Sequence, residues 1–71
     1  MDWQAKILNR LSKGDKLIVA HYRDARQASL KHNKKFTDVP VVSVDALERK
    51  KLIKMESFRD RFQVFIRTGK E

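Results

Sequence analysis

His21 and His32 are the two side chains whose ordinary titration falls near neutral pH, and neither has the company a catalytic or metal-binding imidazole needs. They stand far apart, with no ligand-like spacing to each other or to a carboxylate, so both read as structural or surface residues. Ser12, Ser29, Ser43 and Ser57 lack a sequence context that would pair a nucleophile with a base. Gly14 and Gly69 are the only glycines, too few for a phosphate loop or a dinucleotide fingerprint. With no cysteine there is neither a disulfide staple nor a thiolate zinc site. The expectation is a protein that is not an enzyme and uses no metal or cofactor.

The chemistry that is abundant is cationic. Lys and Arg number 17 against 9 Asp and Glu, a formal charge of +8, with a pI near 10.2. Such a field concerns partners rather than fold, and polyanions are the partners it attracts. Three clusters stand out: Arg49-Lys50-Lys51 with Lys54, the pair Arg59 and Arg61 around Asp60, and the run Lys31-His32-Asn33-Lys34-Lys35. Lys54 and Arg67 are expected to extend the second cluster as a basic strip. Of the aromatics, most are needed as core in so short a chain. Tyr22 and Phe65 are those expected to be exposed and free to stack on a base.

These residues need elements to position them. Trp3, Ile7 and Leu11 recur at helical spacing, widened by Leu8, and predict a helix over residues 2–13 with Asp2 as N-cap and Gly14 as its stop. Residues 16–22 predict a strand, with Leu17 and Val19 on one face and Ile18, Ala20 and Tyr22 on the other. Residues 23–36 fit either a hairpin return with a strand over 27–31 or a short helix capped by Asp24. A helix is predicted within 39–51, at least from Ser43, which serves as N-cap; Pro40 lies in the first turn of a longer helix starting near Asp38 or in the extended lead-in to a shorter one. Asp45 and Arg49 are placed to pair at i, i+4. On its wheel Val41, Val44 and Leu47 share a side with Leu52, whereas Val42, Ala46, Arg49 and Lys50 lie opposite. Residues 52–58 and 62–68 predict a β-hairpin, Phe62, Val64 and Ile66 alternating with Gln63, Phe65 and Arg67 about a turn at 58–61.

The segment from Val44-Asp45-Ala46-Leu47-Glu48-Arg49-Lys50-Lys51-Leu52-Ile53-Lys54 to Phe62-Gln63-Val64-Phe65-Ile66-Arg67-Thr68-Gly69 resembles the recognition helix and wing of small bacterial and phage winged helix-turn-helix DNA-binding proteins. Leu47, Arg49, Lys50, Leu52, Ile53 and Thr68 fall at fitting places, over less than half the chain. Gly14, Val39, Val44 and Ala46 also match a variant in which a hairpin follows the first helix, which favours the hairpin for 16–31. The family has glycine where Lys51 stands, because the chain leaves the helix there with positive φ; a lysine either bears a cost of roughly 1 kcal/mol at that position or turns differently.

The resemblance implies an α+β fold. A small winged-helix-like domain over residues 1–71 would hold an N-terminal helix, a β-hairpin or short helix, a recognition-type helix and a C-terminal hairpin wing. It implies double-stranded DNA as partner and a role as transcriptional regulator or accessory factor of a phage or mobile element. Val42, Ser43, Ala46, Arg49, Lys50, Lys51 and Lys54 would approach the groove, with Arg59, Arg61, Arg67, Lys34 and Lys35 on flanking phosphate. A homodimer is the assembly such regulators often adopt, although no heptad or spare helix supplies its element. The alternatives are a module that binds an acidic surface of a larger protein, such as a polymerase or nuclease, and a binder of RNA or single strands. No apolar run reaches the roughly 20 residues of a membrane span, and no basic-then-apolar leader opens the sequence, so the cytoplasm is the expected compartment.

Overall fold

In the computed structural model, which describes residues 2–68, helix α1 (Trp3–Ser12) leads into three strands, β1 (Lys16–His21), β2 (Arg26–His32) and β3 (Lys35–Val39). Helix α2 (Val41–Arg49) then returns the chain to a last pair, β4 (Ile53–Arg59) and β5 (Phe62–Arg67). All strands join one antiparallel sheet in the order β3-β2-β1-β5-β4. The fold is thus a small α+β domain in which strands dominate. The stretch over 23–36 forms the hairpin partner rather than a helix.

Each element has a local cause. The Asp2 carboxylate accepts from the Gln4 N–H at 3.0 Å and caps α1. Both helices end in the same way. Asp15 N–H donates to Arg10 C=O and Gly14 N–H to Leu11 C=O; in α2, Leu52 N–H donates to Leu47 C=O and Lys51 N–H to Glu48 C=O. These are two Schellman motifs, whose first residue beyond the cap must take positive φ. Gly14 does so at 99°, and Lys51 does so at 62°. The lysine therefore occupies a left-handed position of the kind that glycine usually fills. Asn33 and Asp60 supply the positive φ of the two tight hairpin turns.

Two expectations for α2 are corrected. The helix begins at Val41, with Pro40 at the cap and no side-chain cap bond, so Ser43 lies inside the first turn and is not the N-cap. Pro40 has no N–H to lose, and its fixed φ of -67° suits the entry. Asp45 does not pair with Arg49 but with Arg26 of β2, through two bonds of 3.0 and 2.8 Å. Strand β3 replaces the turn expected at Lys35 and the helix start or lead-in expected from Asp38, because Leu30↔Thr37 and Ala28↔Val39 pairing draws these residues into the sheet.

The core lies on one face of the sheet. Leu17, Val19, Ala28, Leu30, Val39, Ile53 and Phe65 pack against Ile7 and Leu11 of α1 and Val44 and Leu47 of α2. Phe65, expected to be exposed, is 2% exposed. Leu52, expected on the apolar side, is 40% exposed.

Candidate nucleic-acid interface

Strand direction sorts the charges. β1, β3 and β4 begin, and β2 and β5 finish, at the same end of the sheet, called here the lower end. Lys13, Lys16, Lys31, Lys34, Lys35, Lys51, Lys54 and Arg67 therefore gather there. Of the acids near this end, Asp15 and Glu56 are engaged, whereas Glu48 in the last turn of α2 has no Lys or Arg within ion-pair range among the described residues. Asp15 is buried, with one oxygen 2.5 Å from Arg10 Nε and the other 2.6 Å from His32 Nδ1. Glu56 accepts from Lys16 Nζ at 3.0 Å. Among the described residues, Lys13, Lys34, Lys35, Lys51 and Lys54 have no carboxylate within ion-pair range. At the upper end Arg23, Arg26, Arg59 and Arg61 are mixed with Asp24, Asp45 and Asp60, and the two signs offset one another.

Asp15 holds the lower end in shape. It follows the α1 stop and reaches the β2–β3 turn through His32, so it ties a helix end to the loop that carries Lys34 and Lys35. The hydrogen bond from Arg10, then that from His32, keep its carboxyl below the ordinary 3.8, against the opposing push of burial. Arg26 likewise lowers Asp45 by hydrogen bonding, and its own value rises in return.

The second feature is the face of the sheet away from the helices. Cross-strand partners share a face, so register defines its rows. Phe36, Lys31 and Lys16 form one row with Ile66 and Lys54 beyond; Asp38, Ser29, Ile18, Val64 and Ser57 form the next; Gln27, Ala20, Phe62 and Arg59 the third. A bulge at Glu56, between Met55 and Ser57, resets the alternation of β4. None of these side chains belongs to the core cluster. Phe36 is 61% exposed and Phe62 44%. In β5 the more apolar set, Phe62, Val64 and Ile66, lies on this uncovered side, and the set that faces the helices contains Gln63 and Arg67. Lys31 Nζ stands 5.9 Å from the centre of the Phe36 ring.

The residues expected to form one interface are thereby divided. Val42, 75% exposed, Arg49 and the half-buried Ala46 lie on the outer side of α2 together with Asp45, as the wheel predicts; Ser43 is half-buried. Lys50 donates to Gln4 Oε1 at 2.8 Å, across to α1. Lys54 and Arg59 lie on the opposite, uncovered face of the sheet. Arg61 sits in the upper turn, and Lys34 and Lys35 in the lower one. Arg67 points to the helix side and donates to the Ser12 hydroxyl, so Lys54 and Arg67 do not form one strip. Sequence reasoning missed Lys16, Lys31, Phe36 and Phe62 as a group; their signal was the β3 strand, which brings Phe36 beside Lys31.

Among the described residues no group of His and acidic side chains could hold a metal ion, and no helix is long and apolar enough to cross a membrane. Comparison with protein-family models, with curated proteins and with solved structures yields no match to the chain.

Proposed function

We propose that the protein binds nucleic acid, with the lower end of the sheet as its phosphate grip. The observation that carries this reading is the segregation of unpaired lysines, Lys13, Lys34, Lys35, Lys51 and Lys54, at an end where Asp15 and Glu56 are already engaged. Ammonium groups held on turns and strand ends around a rigid sheet can each neutralise a phosphate and release its counterion. The affinity this supplies is independent of sequence.

A fluorescence-anisotropy titration of labelled DNA at two salt concentrations tests the reading. Binding is expected to weaken steeply with salt, and K34E/K35E is expected to weaken it for every sequence alike. Absence of binding at low salt removes the proposal.

The duplex reading, with the winged-helix arrangement and a regulatory role for a phage or mobile element, keeps one supporting observation: α2 presents Val42 and Arg49 outward. It requires Lys54 and Arg59 to flank the same duplex, yet they face away on the other layer. Asp45 and Glu48 on α2 would also approach phosphate. Phosphate grip by the lower end needs neither condition.

A further inference from the structure

The uncovered face of the sheet has an occupant that its own chemistry specifies. A solvent-facing strand side is ordinarily polar, the apolar set being turned to the core. Here β5 does the reverse, with Phe62, Val64 and Ile66 outward and Ile18 of β1 beside Val64. The apolar centre is framed by cations: Lys31 and Lys16 on one side, Lys54 and Arg59 on the other. Lys54 and Arg59 have no ion-pair partner among the described residues, and Lys31 leans over Phe36. Two carboxylates share the face. Glu56 is held by Lys16, and Asp38 accepts from Gln27 at 3.3 Å and from Ser29 at 3.5 Å.

Two candidate occupants fit poorly. A second copy packed face to face would bring the same lysines together in a chain already at +8. A duplex would set its sugar-phosphate rails over Ile18, Val64 and Ile66, and this face has no protruding helix to enter a groove. A single strand offers what the face lacks: unstacked bases with apolar surfaces, strung on phosphates. Phe36 on β3 and Phe62 on β5 stand three strand spacings, about 14 Å, apart across the sheet and four residues, about 13 Å, apart along it, room for more than one base between them.

Resting on the nucleic-acid reading above, we infer that this face binds single-stranded nucleic acid, with bases stacked on Phe36 and Phe62 and phosphates held by Lys31, Lys54 and Arg59. The strand continues onto the lower end, where the grip of Lys34 and Lys35 begins one turn beyond Phe36. Stacked bases and phosphates are common to DNA and RNA, so strands of either kind are expected to bind alike.

The test is a set of titrations with labelled oligothymidylate and oligouridylate of about 12 nucleotides and with a duplex of the same length, using wild type, F36L, F62L, F36Y and F62Y. Both phenylalanines are exposed, and circular dichroism checks that each variant keeps its fold. Leucine retains apolar surface but removes the π-face, whereas tyrosine keeps it. The expected result is preference for the single strands, an affinity loss of about tenfold for each leucine variant, and near wild-type binding for the tyrosine variants. Equal affinity for both oligonucleotides marks a sugar-independent site; preference for oligouridylate overturns that clause. Duplex preference with all four variants unchanged overturns the inference and leaves the phosphate grip standing. A dimer by light scattering that F62L dissociates, with oligonucleotide binding unchanged, also overturns it. Failure to bind any of the three probes at low salt brings down the inference and the proposed function together.

Discussion

Phe65 and Phe62 stand three residues apart on the same strand and meet opposite fates: one is sealed under the helices, and the other stands on the outer face at 44% exposure. The difference holds over the centre of the sheet, whereas Met55 and Phe58 on β4 share the side of Phe65 and are still exposed. The covered face is continuous with Ile7, Leu11, Val44 and Leu47, and its one buried charge among the described residues is Asp15. The uncovered face carries comparable apolar groups on β5 without any element over them. The covered face shows what stabilises the domain, and the other what the domain can offer a partner.

The largest effect that would test this division is L47A. Truncating a fully buried leucine costs about 2–5 kcal/mol, a large share of a small domain's stability, and a denaturant melt should show a sharply lowered midpoint. A marginal loss would mean the covered face is not the core. Next comes D15N, which removes the charge shared by Arg10 and His32 and replaces one of the two accepting oxygens by an NH2 donor; the melting temperature should fall by several degrees. The pH dependence has a fixed sign. Because the folded-state carboxyl of Asp15 is held below 3.8, its contribution is present above that value and disappears as pH falls through its lower folded value. The gap in melting temperature between wild type and D15N should therefore close on acidification from pH 7, and a gap that widened would contradict the assignment.

A smaller effect of opposite sign is expected from K51G. Relieving a non-glycine residue at φ 62° should stabilise by about 1 kcal/mol, seen as a higher denaturation midpoint with an unchanged slope. By losing one cation from the lower end, the same variant should also bind nucleic acid more weakly. The smallest effect belongs to the uncovered face: V64T should change stability by under about 1 kcal/mol, much less than L47A. A loss as large as that of L47A would show the two faces to be energetically alike.

Much of the fold was legible because local rules agree there. The Trp3/Ile7/Leu11 stripe, the Asp2 cap and Gly14 specify α1 completely. The alternation in 62–67 specifies a strand, and the α2 wheel separates Val44 and Leu47 from Val42 and Arg49. Period-two alternation, however, defines two faces without saying which is covered. Choosing by apolar content would turn Phe62, Val64 and Ile66 inward, and the expected exposure of Phe65 rested on no packing information at all. β3 escaped notice because Lys35 and Asp38 lower its apolar signal, and only pairing with β2 makes it a strand. The lysines of the lower end were visible as charges; their gathering at one end depends on strand order, which no local signal carries.

Strand order also bears on how the chain reaches this state. β1 lies at the middle of the sheet, between β2, which follows it after a short loop, and β5, whose Phe65 pairs with Leu17 from the far end of the chain. The β1–β2–β3 meander can close early from local contacts, whereas the β1–β5 seam must wait for a loop of most of the chain. Until β5 docks, β1 is an open edge with the apolar Leu17, Ile18 and Val19 along it, the kind of edge on which chains aggregate. The C-terminal hairpin is thus the step that shields the nascent domain, and a chain ending before residue 62 would present its most hydrophobic strand to its neighbours.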